Sequence, residues 1–462
     1  MSENKINTRI TELFDCASFE KFTAARPNGF VTGCGKVGGR EVMASFIEPD
    51  EMSESYFAGL QDHLALLEKA LEKKVPALIV MDVPAYHKTA DKSPFPNDPV
   101  KLLADKRGVG RWYFLHSKLS GKVPQIAVVL NRLGASLTFP VALCDAAVMV
   151  EAGGMSVGRP DVVEKMSGRK VDYNELGGPE MHYGAGSIDH VTKEESGAFE
   201  WVRKYLDYMP GALKKTEAAP EYDGDKIKGI IPASPNFAFD THEVLRGIVD
   251  GGSFFELRKG FAAELITGFG RVEGRTVGII ANNSSVRGGL FFAETCRKSA
   301  RFISICDSFG IPLIFLADDA GFMVGPEVEK AGIIREGSLL FSTIANSGVP
   351  KLSAVLRRSY TAGVYAMAGP GFDPESFIAL PGAVISIYGK AVAEKLSARG
   401  VDEKENGAIA EMMSGAEHPR KLLEMGMLDG IVEIENLRST IGRFLNKVSS
   451  KISGSGRPVL LV

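Results

Sequence analysis

The sequence predicts an α/β protein built from two copies of one domain, each with a mainly parallel sheet covered by helices on both faces. Three observations predict it. The stretch TGCGKVGGR at 32–40 recurs as TGFGRVEGR at 267–275, 235 positions later. A Val-Pro or Ile-Pro step into an apolar run also recurs, with Pro76 and Pro312 lying 236 positions apart. Continuous Val/Ile/Leu runs that alternate with helical patterns are typical of parallel strands buried on both faces.

The elements after each copy of the repeat follow in the same order. The matching segments, first copy before second, are a strand at 41–47 and 276–282, a helix at 56–74 and 290–310, a second strand at 75–82 and 311–318, a third at 123–132 and 349–358, and a fourth apolar run at 142–154 and 376–389. We therefore predict domains at 1–215 and 230–462. A linker at 214–229, rich in charge, Pro and Gly, joins them.

The composition is that of a globular protein and excludes several classes. Hydrophobic residues make up 45% of the chain and charged residues 24%, with a net charge of −3 and no long basic run. This argues against nucleic acid as the main partner. No apolar stretch is long enough to span a bilayer, and the first residues carry no apolar signal core. The sequence predicts a cytoplasmic protein without a membrane span.

Metal-binding patterns are missing from the sequence. The five cysteines contain no C-x-x-C pair, and the seven histidines form no H-x-x-x-H or H-E-x-x-H pattern. Scattered thiols in a reducing compartment are buried side chains more often than ligands. We therefore expect no structural or catalytic metal.

Small-residue turns follow the predicted buried strands. They are VPAYH at 83–87, LGAS at 133–136, DAGFMVG at 319–325 and TAG at 361–363. In parallel sheets sites form where the carboxyl ends of strands turn into helices, and exposed N–H groups there can hold an anion. The alternative is that each glycine only permits a tight turn. Four turns at matching places in two repeats favour a function.

Two aspartates precede the glycine of the third of these turns. Asp318 and Asp319 could either orient the turn or cap the helix that follows it. We favour capping, because aspartate is a preferred residue at helix N-termini.

A family resemblance rests on PDVVEKMSGRKVDYNELGGPEMH (160–182), GAGSIDHV (184–191), ARFISICDSFGIPLIFLADDAGFMVG (300–325), AGIIREGSLLFSTIANSGVPK (331–351), RSYTAGVYAM (358–367) and MLDGIV (427–432). With these stretches the chain resembles the carboxyltransferase (beta) subunit of biotin-dependent acyl-CoA carboxylases of the methylcrotonyl, propionyl and glutaconyl type. The resemblance runs from about residue 30 to 435. It implies two tandem crotonase-like (ClpP/crotonase) domains, each a β-β-α superhelix.

The resemblance also implies an activity, in which a carboxyl group moves between biotin and an acyl-CoA through a thioester enolate. The first domain would hold the coenzyme A thioester and the second the carboxybiotin. Negative charge would develop on the ureido oxygen of biotin and on the thioester oxygen. Two oxyanion holes are therefore needed, and backbone N–H groups can supply both.

The residues that match the family's turns are Gly321, Phe322, Ala362 and Gly363 on the biotin side and Gly134 and Ala135 on the acyl-CoA side. The third position of the acyl-CoA turn is Ser136, where the family has Gly. No M-K-M biotinylation site and no ATP-grasp pattern occurs in the sequence. Biotin must then be carried on another chain, so a biotin carboxyl carrier and a biotin carboxylase are implied partners, together with a homo-oligomer between dimer and hexamer.

Two loops of the first domain depart from the family, VPAYHK (83–88) and SESY (53–56), which lack its glycines. The Ala-Gly turn at 362–363 is similar to the methylcrotonyl/glutaconyl branch. The sequence leaves two alternatives open. One is a biotin-linked acyl-CoA decarboxylase subunit, which would use the same pockets in reverse. The other is a catalytically silent architectural subunit, which the altered loops suggest.

Overall fold

The computed structural model describes residues 2–22, 30–48, 54–83, 103–213, 215–234, 237–387 and 419–462. They form two units with one seven-stranded sheet each. Unit 1 comprises Met1–Leu213 and Gly456–Leu461, and unit 2 comprises Lys214–Ser455 and Val462.

In unit 1, helices separate the successive parallel strands of the large sheet, as predicted. Its strands are β1 (Glu20–Lys21), β2 (Phe30–Val37), β3 (Arg40–Ile47), β4 (Ala77–Met81), β5 (Gln125–Val129), β6 (Arg132–Gly134), β7 (Ala146–Val150), β8 (Gly154–Ser156) and β9 (His190–Thr192). Its helices are α1 (Ser2–Leu13), α2 (Glu54–Lys73), α3 (Val109–Leu119), α4 (Thr138–Leu143), α5 (Pro160–Ser167), α6 (Tyr173–Gly177), α7 (Pro179–Gly184) and α8 (Glu195–Tyr208), with a 3-10 turn at Ala135–Leu137.

Unit 2 repeats this arrangement. Its strands are β10 (Phe255–Leu257), β11 (Leu265–Val272), β12 (Arg275–Asn282), β13 (Leu313–Ala317), β14 (Lys351–Val355), β15 (Arg358–Tyr360), β16 (Ser376–Ala379), β17 (Val384–Ser386) and β18 (Gly430–Ile431). Its helices are α9 (Gly224–Lys228), α10 (Thr241–Ile248), α11 (Ala293–Phe309), α12 (Pro326–Lys330), α13 (Ile333–Asn346), α14 (Gly363–Ala366), α15 (Pro419–Glu424) and α16 (Leu437–Val448). Short 3-10 turns lie at Arg287–Gly289, Pro370–Phe372, Ile434–Asn436 and Ser449–Lys451.

The two large sheets have the same strand order, which confirms the internal repeat. The order is β1-β2-β3-β4-β5-β7-β9 in unit 1 and β10-β11-β12-β13-β14-β16-β18 in unit 2. The first three strands of each sheet are antiparallel and the rest are parallel. Strands β3 and β12 occupy the same third position, as the 235-residue offset predicts. A two-stranded sheet accompanies each large one, β6 with β8 and β15 with β17.

The recurring nine residues form the end of one strand, a two-residue hairpin turn and the first residue of the return strand. The turn residues are Gly38 and Gly39 in unit 1 and Glu273 and Gly274 in unit 2, and all four have positive φ, between 53° and 79°. Two positive φ values in a row are what a type I′ turn requires, and this turn matches the twist of the flanking strands. The motif therefore occurs twice because each unit needs the same hairpin.

Each hairpin turn is held by a carboxylate from an earlier segment. Asp15 accepts hydrogen bonds from the Gly38 and Gly39 N–H groups at 3.0 and 2.7 Å. Asp250 does the same for the N–H groups of residues 273 and 274, at 3.0 and 2.8 Å. The two aspartates are also 235 positions apart. The repeat thus begins before the segments in which the sequence revealed it.

The boundary between the units differs from the predicted one in two respects. Part of the predicted linker 214–229 belongs to unit 2, because Asp223 caps α9 and Ile227 is 2% exposed in the apolar core of that unit. The last segment of the chain joins unit 1. Val459 is buried there, and its N–H donates to the Ser120 hydroxyl at 2.9 Å. Charge, Pro and Gly content indicated a linker, although these residues form caps and turns within unit 2.

Within the described part of the chain, none of the helices combines the length and the apolar character that crossing a bilayer requires.

Candidate active site

Two turns of unit 2 come together at the carboxyl ends of neighbouring strands. The first, 319–325, follows β13, and the second, 361–363, follows β15. Strand β15 itself continues from β14, which lies beside β13 in the sheet, so the two turns emerge at the same edge. The Asp319 N–H donates to the carbonyl of Arg358 at 3.0 Å and joins the two segments.

The first turn depends on Gly321. Its φ of +89° lies in the region that favours glycine. A side chain there would also meet Thr361 Oγ1 at 2.7 Å and the Tyr360 carbonyl at 3.2 Å. The Gly321 N–H donates to Asp319 Oδ1 at 2.9 Å. Gly321 therefore allows the two turns to touch, but its own N–H group is not available to a ligand because it donates to Asp319.

Phe322 follows Gly321 and carries a more available N–H group. A bridge pairs Phe291 with Phe322 through the Gly321 carbonyl and the Met323 N–H, at 3.0 and 2.9 Å. In this parallel pattern the N–H of Phe322 points away from Phe291. None of the described residues accepts a hydrogen bond from it.

The second turn has an unusual backbone. Thr361 has a φ of +50°, although it is β-branched, and its N–H donates to the Ser386 carbonyl of β17 at 3.0 Å. Ala362 and Gly363 then begin the single helical turn α14. Over the described ranges, no acceptor faces the N–H groups of Ala362 and Gly363. Strained backbone of this kind is concentrated at functional sites.

Asp319 lies behind the second turn. It is fully buried, and its carboxyl group accepts from the Ser359 hydroxyl at 2.6 Å and from the Tyr360 N–H at 3.4 Å, besides the Gly321 N–H. A Cβ on Gly363 would overlap its Oδ1 atom. Burial raises the pKa of Asp319 to about 7, against the lowering effect of its three hydrogen bonds. Gly363 is therefore required by the close approach of this carboxyl group.

Asp318 is bound differently from its neighbour. Arg357 donates two hydrogen bonds to the Asp318 carboxylate, from Nε to Oδ1 at 3.0 Å and from Nη2 to Oδ2 at 2.8 Å. Arg358 Nε lies 3.6 Å from Oδ1 of the same carboxylate. Both Asp318 and Arg357 are buried, and two-point pairing is the strong form of this contact. Asp318 thus lies between two arginines and forms its two-point contact with only one of them, Arg357.

The preference for helix capping by these aspartates was wrong. No helix begins directly after them, since α12 starts only at Pro326 behind Gly325. Asp318 holds an arginine pair and Asp319 orients the turn. The sequence could not distinguish these roles from capping, because their partners lie about forty residues further along the chain.

In unit 1 the corresponding turn follows β6. Gly134 is the last residue of that strand, paired with Ser156, and Ala135 opens the 3-10 turn. Strand β5 of unit 1 is the counterpart of β14 in unit 2, and their last residues, 129 and 355, take the same place in the two sheets. When residue 129 is aligned with 355, Ser136 and Leu137 correspond to Ala362 and Gly363. The acyl-CoA turn therefore extends two residues beyond the predicted pair.

The buried aspartate after β4 has its own set of partners. Asp82 accepts from Arg9 Nη2 and Lys5 Nζ at 2.6 Å each and from Asn131 Nδ2 at 2.9 Å. Burial alone would raise the pKa of Asp82, but these hydrogen bonds leave it below the usual value. Unit 1 thus stabilises its buried carboxylate with α1, whereas unit 2 uses Arg357, which lies between β14 and β15. Nothing in the sequence pattern pointed to Arg9.

His182 of the LGGPEMH stretch has a structural contact. It lies on α7, and its Nε2 is 2.6 Å from the Met155 carbonyl, so that nitrogen carries the proton and donates. The departures VPAYHK and SESY lie outside the described residues, apart from Val83 and the backbone of 54–56. Among the described residues, His, Cys, Asp and Glu form no group suited to a metal ion.

Comparison with known proteins gives a consistent result. A family model described as the carboxyl transferase domain matches residues 11–453. The uncharacterized carboxylase YngE of Bacillus subtilis is 34% identical, covering 92% of this chain and 84% of that protein. The biotin-dependent 3-methylcrotonyl-coenzyme A carboxylase beta1 subunit of Mycobacterium tuberculosis is 31% identical, covering 90% and 81%.

A solved structure shows the same architecture. The transcarboxylase 12S hexamer, crystallised with methylmalonyl-coenzyme A and methylmalonic acid bound, superposes with a TM-score of 0.87 at 27% identity, covering 98% of this chain and 91% of that one. The tandem crotonase-like fold predicted from the sequence is confirmed. The chain is a member of the carboxyl transferase family, whose biotin-dependent enzymes move a carboxyl group between biotin and an acyl-CoA.

Proposed function

We propose that unit 2 holds biotin and that the N–H groups of Ala362 and Gly363, with that of Phe322, form its oxyanion hole. The observation that carries the proposal is the pair of touching turns, which leaves these three N–H groups without acceptors among the described residues. Ala362, Gly363 and Phe322 match the family's turns in the stretch where the resemblance is strongest. Gly321 allows the contact between the turns but gives its own N–H to Asp319.

Biotin, bound to a carrier on another chain, would supply or receive the carboxyl group. The contribution of this chain is electrostatic. Neutral N–H dipoles, fixed by the β15–β17 contact and by Gly321, stabilise developing negative charge without having to reorganise. Thr361, Ala362 and Gly363 carry no acid, base or nucleophile of suitable pKa, which leaves the backbone to act.

Unit 1 would hold the acyl-CoA. Its turn Gly134–Leu137 occupies the place that corresponds to the turn at 361–363 of unit 2, which we call the biotin turn. We assign Gly134, Ala135, Ser136 and Leu137 to the thioester side. The Ser136 carbonyl accepts from the Tyr113 hydroxyl at 2.7 Å, so the conformation of this turn is fixed from behind.

The assembly follows from the same assignment. The family resemblance pairs the first half of one subunit with the second half of another, so we propose an obligate oligomer in which each subunit completes a site of its neighbour. A biotin carboxyl carrier and a biotin carboxylase on other chains complete the reaction. The cytoplasmic location stays a prediction from the sequence.

Two other functions remain as alternatives with distinct signatures. A biotin-linked decarboxylase would use the same turns in reverse, and the net direction of turnover distinguishes it. An architectural subunit would bind partners without turnover. The three available N–H groups, one in the first turn and two in the second, favour a catalytic subunit over an architectural one.

The test removes one N–H donor from the biotin turn. Gly363→Pro is unsuitable, because a Cβ at that buried position overlaps Asp319. Ala362 has a φ of −70°, close to the value that proline imposes. We expect Ala362→Pro to lower carboxyl transfer ~100-fold or more, as for other lost oxyanion donors. Binding of the acyl-CoA should be unchanged.

Ala362→Ser is the matched control, because it keeps the N–H and adds a single hydroxyl group. Transfer and acyl-CoA binding are measured on the same folded preparations. Transfer by Ala362→Pro within a few-fold of the Ala362→Ser value would show that the biotin oxyanion hole lies elsewhere.

A further inference from the structure

Asp319 touches both Ser359 and Gly363 in the interior of unit 2, behind the turn at 361–363. We call these three residues the polar group. Asp319 Oδ2 lies 2.6 Å from Ser359 Oγ, and Asp319 Oδ1 packs against the Cα atom of Gly363. Asp319 and Ser359 are both 0% exposed, and Gly363 is buried. A fully buried carboxyl group beside a site that handles negative charge needs a physical reason, since burying it has a cost.

Unit 1 shows that the fold does not require this group. The strand registers make residue 81 the counterpart of 317, and residue 129 the counterpart of 355. With this alignment, Asp319, Ser359 and Gly363 of unit 2 correspond to Val83, Leu133 and Leu137 of unit 1. All three lie in the apolar core of unit 1, at 1%, 0% and 3% exposure. The same position in the same fold can thus be filled by apolar side chains.

The hydrogen bonds of Asp319 suit a neutral acid as well as a carboxylate. Oδ1 accepts from the N–H groups of Gly321 and Tyr360 at 2.9 and 3.4 Å, and it can do so in either protonation state. Oδ2 contacts only the Ser359 hydroxyl, which can donate to a carboxylate or accept from a carboxylic acid. Protonation therefore reverses one hydrogen bond and breaks none.

The surrounding charges favour the neutral form. The charged and titratable groups around Asp319 are Asp318, Arg357, Arg358 and Tyr360. Arg357 is paired with Asp318 through two hydrogen bonds, while every hydrogen bond to Asp319 comes from a neutral donor. Burial raises the pKa of Asp319 to about 7. A buried carboxyl group without a cationic partner is one that keeps its proton.

We propose that Asp319 and Ser359 are positioning residues for the biotin turn and that Asp319 acts there as a neutral carboxylic acid. The proposal deepens the proposed function and rests on it for the role of the turn. Asp319 ties the 319–325 turn to β15 and fixes Gly363. Ionisation would place a negative charge directly behind the N–H groups that face the developing oxyanion and would oppose it.

Asp319→Asn tests the proposal, because Asn is isosteric and permanently neutral. Its Oδ1 can keep both backbone N–H groups, and its Nδ2 can donate to Ser359. We expect its carboxyl transfer at pH 6 to lie within about threefold of wild type. Above about pH 7, wild-type kcat should fall about tenfold per pH unit as one group ionises, whereas kcat of the variant should not show this fall. The KM for acyl-CoA should not follow the same profile.

Asp319→Val tests the positioning role, since it copies the residue of unit 1. We expect transfer to fall ~10-fold or more at every pH, because the turn loses its polar support. If Asp319→Val does not fold, the pH profile of Asp319→Asn decides alone. An Asp319→Asn variant that keeps the wild-type pH profile, or that loses transfer ~100-fold at pH 6, overturns the proposal.

A stability readout separates this proposal from the proposed function. The pKa of Asp319 is raised above its unfolded value of 3.8, so the folded state holds the extra proton. The stabilisation is complete below pH 3.8 and is lost as pH rises toward about 7. The melting temperature of wild type relative to Asp319→Asn should therefore decline between about pH 4 and pH 7. A constant difference overturns the neutral acid even if no transfer is observed.

Asp250→Asn is the matched control. Asp250 is also buried and also accepts from two backbone N–H groups, but it serves the β11–β12 hairpin and pairs with Arg438. This variant should lower the melting temperature and leave the pH profile of transfer unchanged. A profile that shifts in Asp250→Asn as it does in Asp319→Asn contradicts a specific role of Asp319.

Discussion

Gly363 and Asp319 depend on each other, because the carboxyl oxygen of one occupies the space that a Cβ of the other would need. The sequence marked both residues as members of a family-like stretch, but it could not show the contact. Contact requires the register of β13 against β14 and the path of β15, which no local pattern encodes. Glycine here serves close packing, while at 321 it serves a positive φ.

A double-mutant cycle measures this dependence. We expect Gly363→Ala to lower the free energy of unfolding of unit 2 by about 1–3 kcal/mol, the range for overpacking a filled site. In an Asp319→Ala background the same change should have a much smaller effect, because the added methyl group then has room. Urea unfolding of the four proteins gives the coupling. If Gly363→Ala lowered the free energy of unfolding equally with Asp and with Ala at position 319, the two residues would not compete for space.

Helices α2 and α3 of unit 1 carry a buried histidine pair that sequence inspection did not single out. His63 Nδ1 lies 2.7 Å from Ser45 Oγ, and His116 Nδ1 lies 2.6 Å from Gln125 Oε1. Both rings are fully buried, and neither Nε2 atom has a hydrogen-bond partner among the described residues. Burial lowers the pKa of His116 to about 4 and that of His63 well below its usual value.

The histidine pair predicts acid sensitivity of unit 1. Both groups are neutral in the folded state and titrate at 6.5 when unfolded, so the unfolded state binds more protons at acidic pH. Stability should be full above about pH 6.5 and fall as the pH approaches 4. Melting temperatures across this range test it. His116→Phe should flatten the slope, and a slope unchanged by that variant would contradict the assignment.

The two β hairpins lie where the nine-residue repeat recurs, but the sequence predicted only their return strands, at 41–47 and 276–282. The type of the turn follows from the positive φ values of its two residues, which only the structure shows. The aspartates that hold them were not predicted, because a single Asp upstream of a glycine-rich strand carries no distinctive pattern. They differ in setting, since Asp15 is half-buried whereas Asp250 is buried and also pairs with Arg438 at 2.6 Å.

This difference predicts unequal effects of the same substitution. Asp250→Ala should cost about 3 kcal/mol, because it removes a buried carboxylate and leaves a cation and two N–H groups of a half-buried turn without their acceptor. Asp15→Ala should cost about 1 kcal/mol, since water can replace the acceptor at an exposed turn. Amide hydrogen exchange in each hairpin reports the local free energy. Equal losses in both hairpins would contradict the role assigned to burial.

For the whole molecule, the sequence predicted the tandem fold, the order of elements along the chain in each copy and the family. These follow from repeated patterns that are local in the chain. The pattern did not predict where the last segment packs, since residues 456–461 join unit 1 through a backbone contact at Gly121. It also did not predict that the polar group of Asp319, Ser359 and Gly363 is replaced by apolar residues in unit 1. Such differences between repeats depend on three-dimensional neighbours.

The most direct test of the central claim is carboxyl transfer by the purified chain itself. Carboxylated acyl-CoA thioesters with a labelled carboxyl group are incubated with free biotin, and the label on biotin is followed over time. We predict transfer that requires the chain, that is lowered ~100-fold or more in Ala362→Pro, and that is retained in Ala362→Ser. A folded, acyl-CoA-binding protein that moves no label with any thioester tested would contradict the claim and leave the architectural alternative.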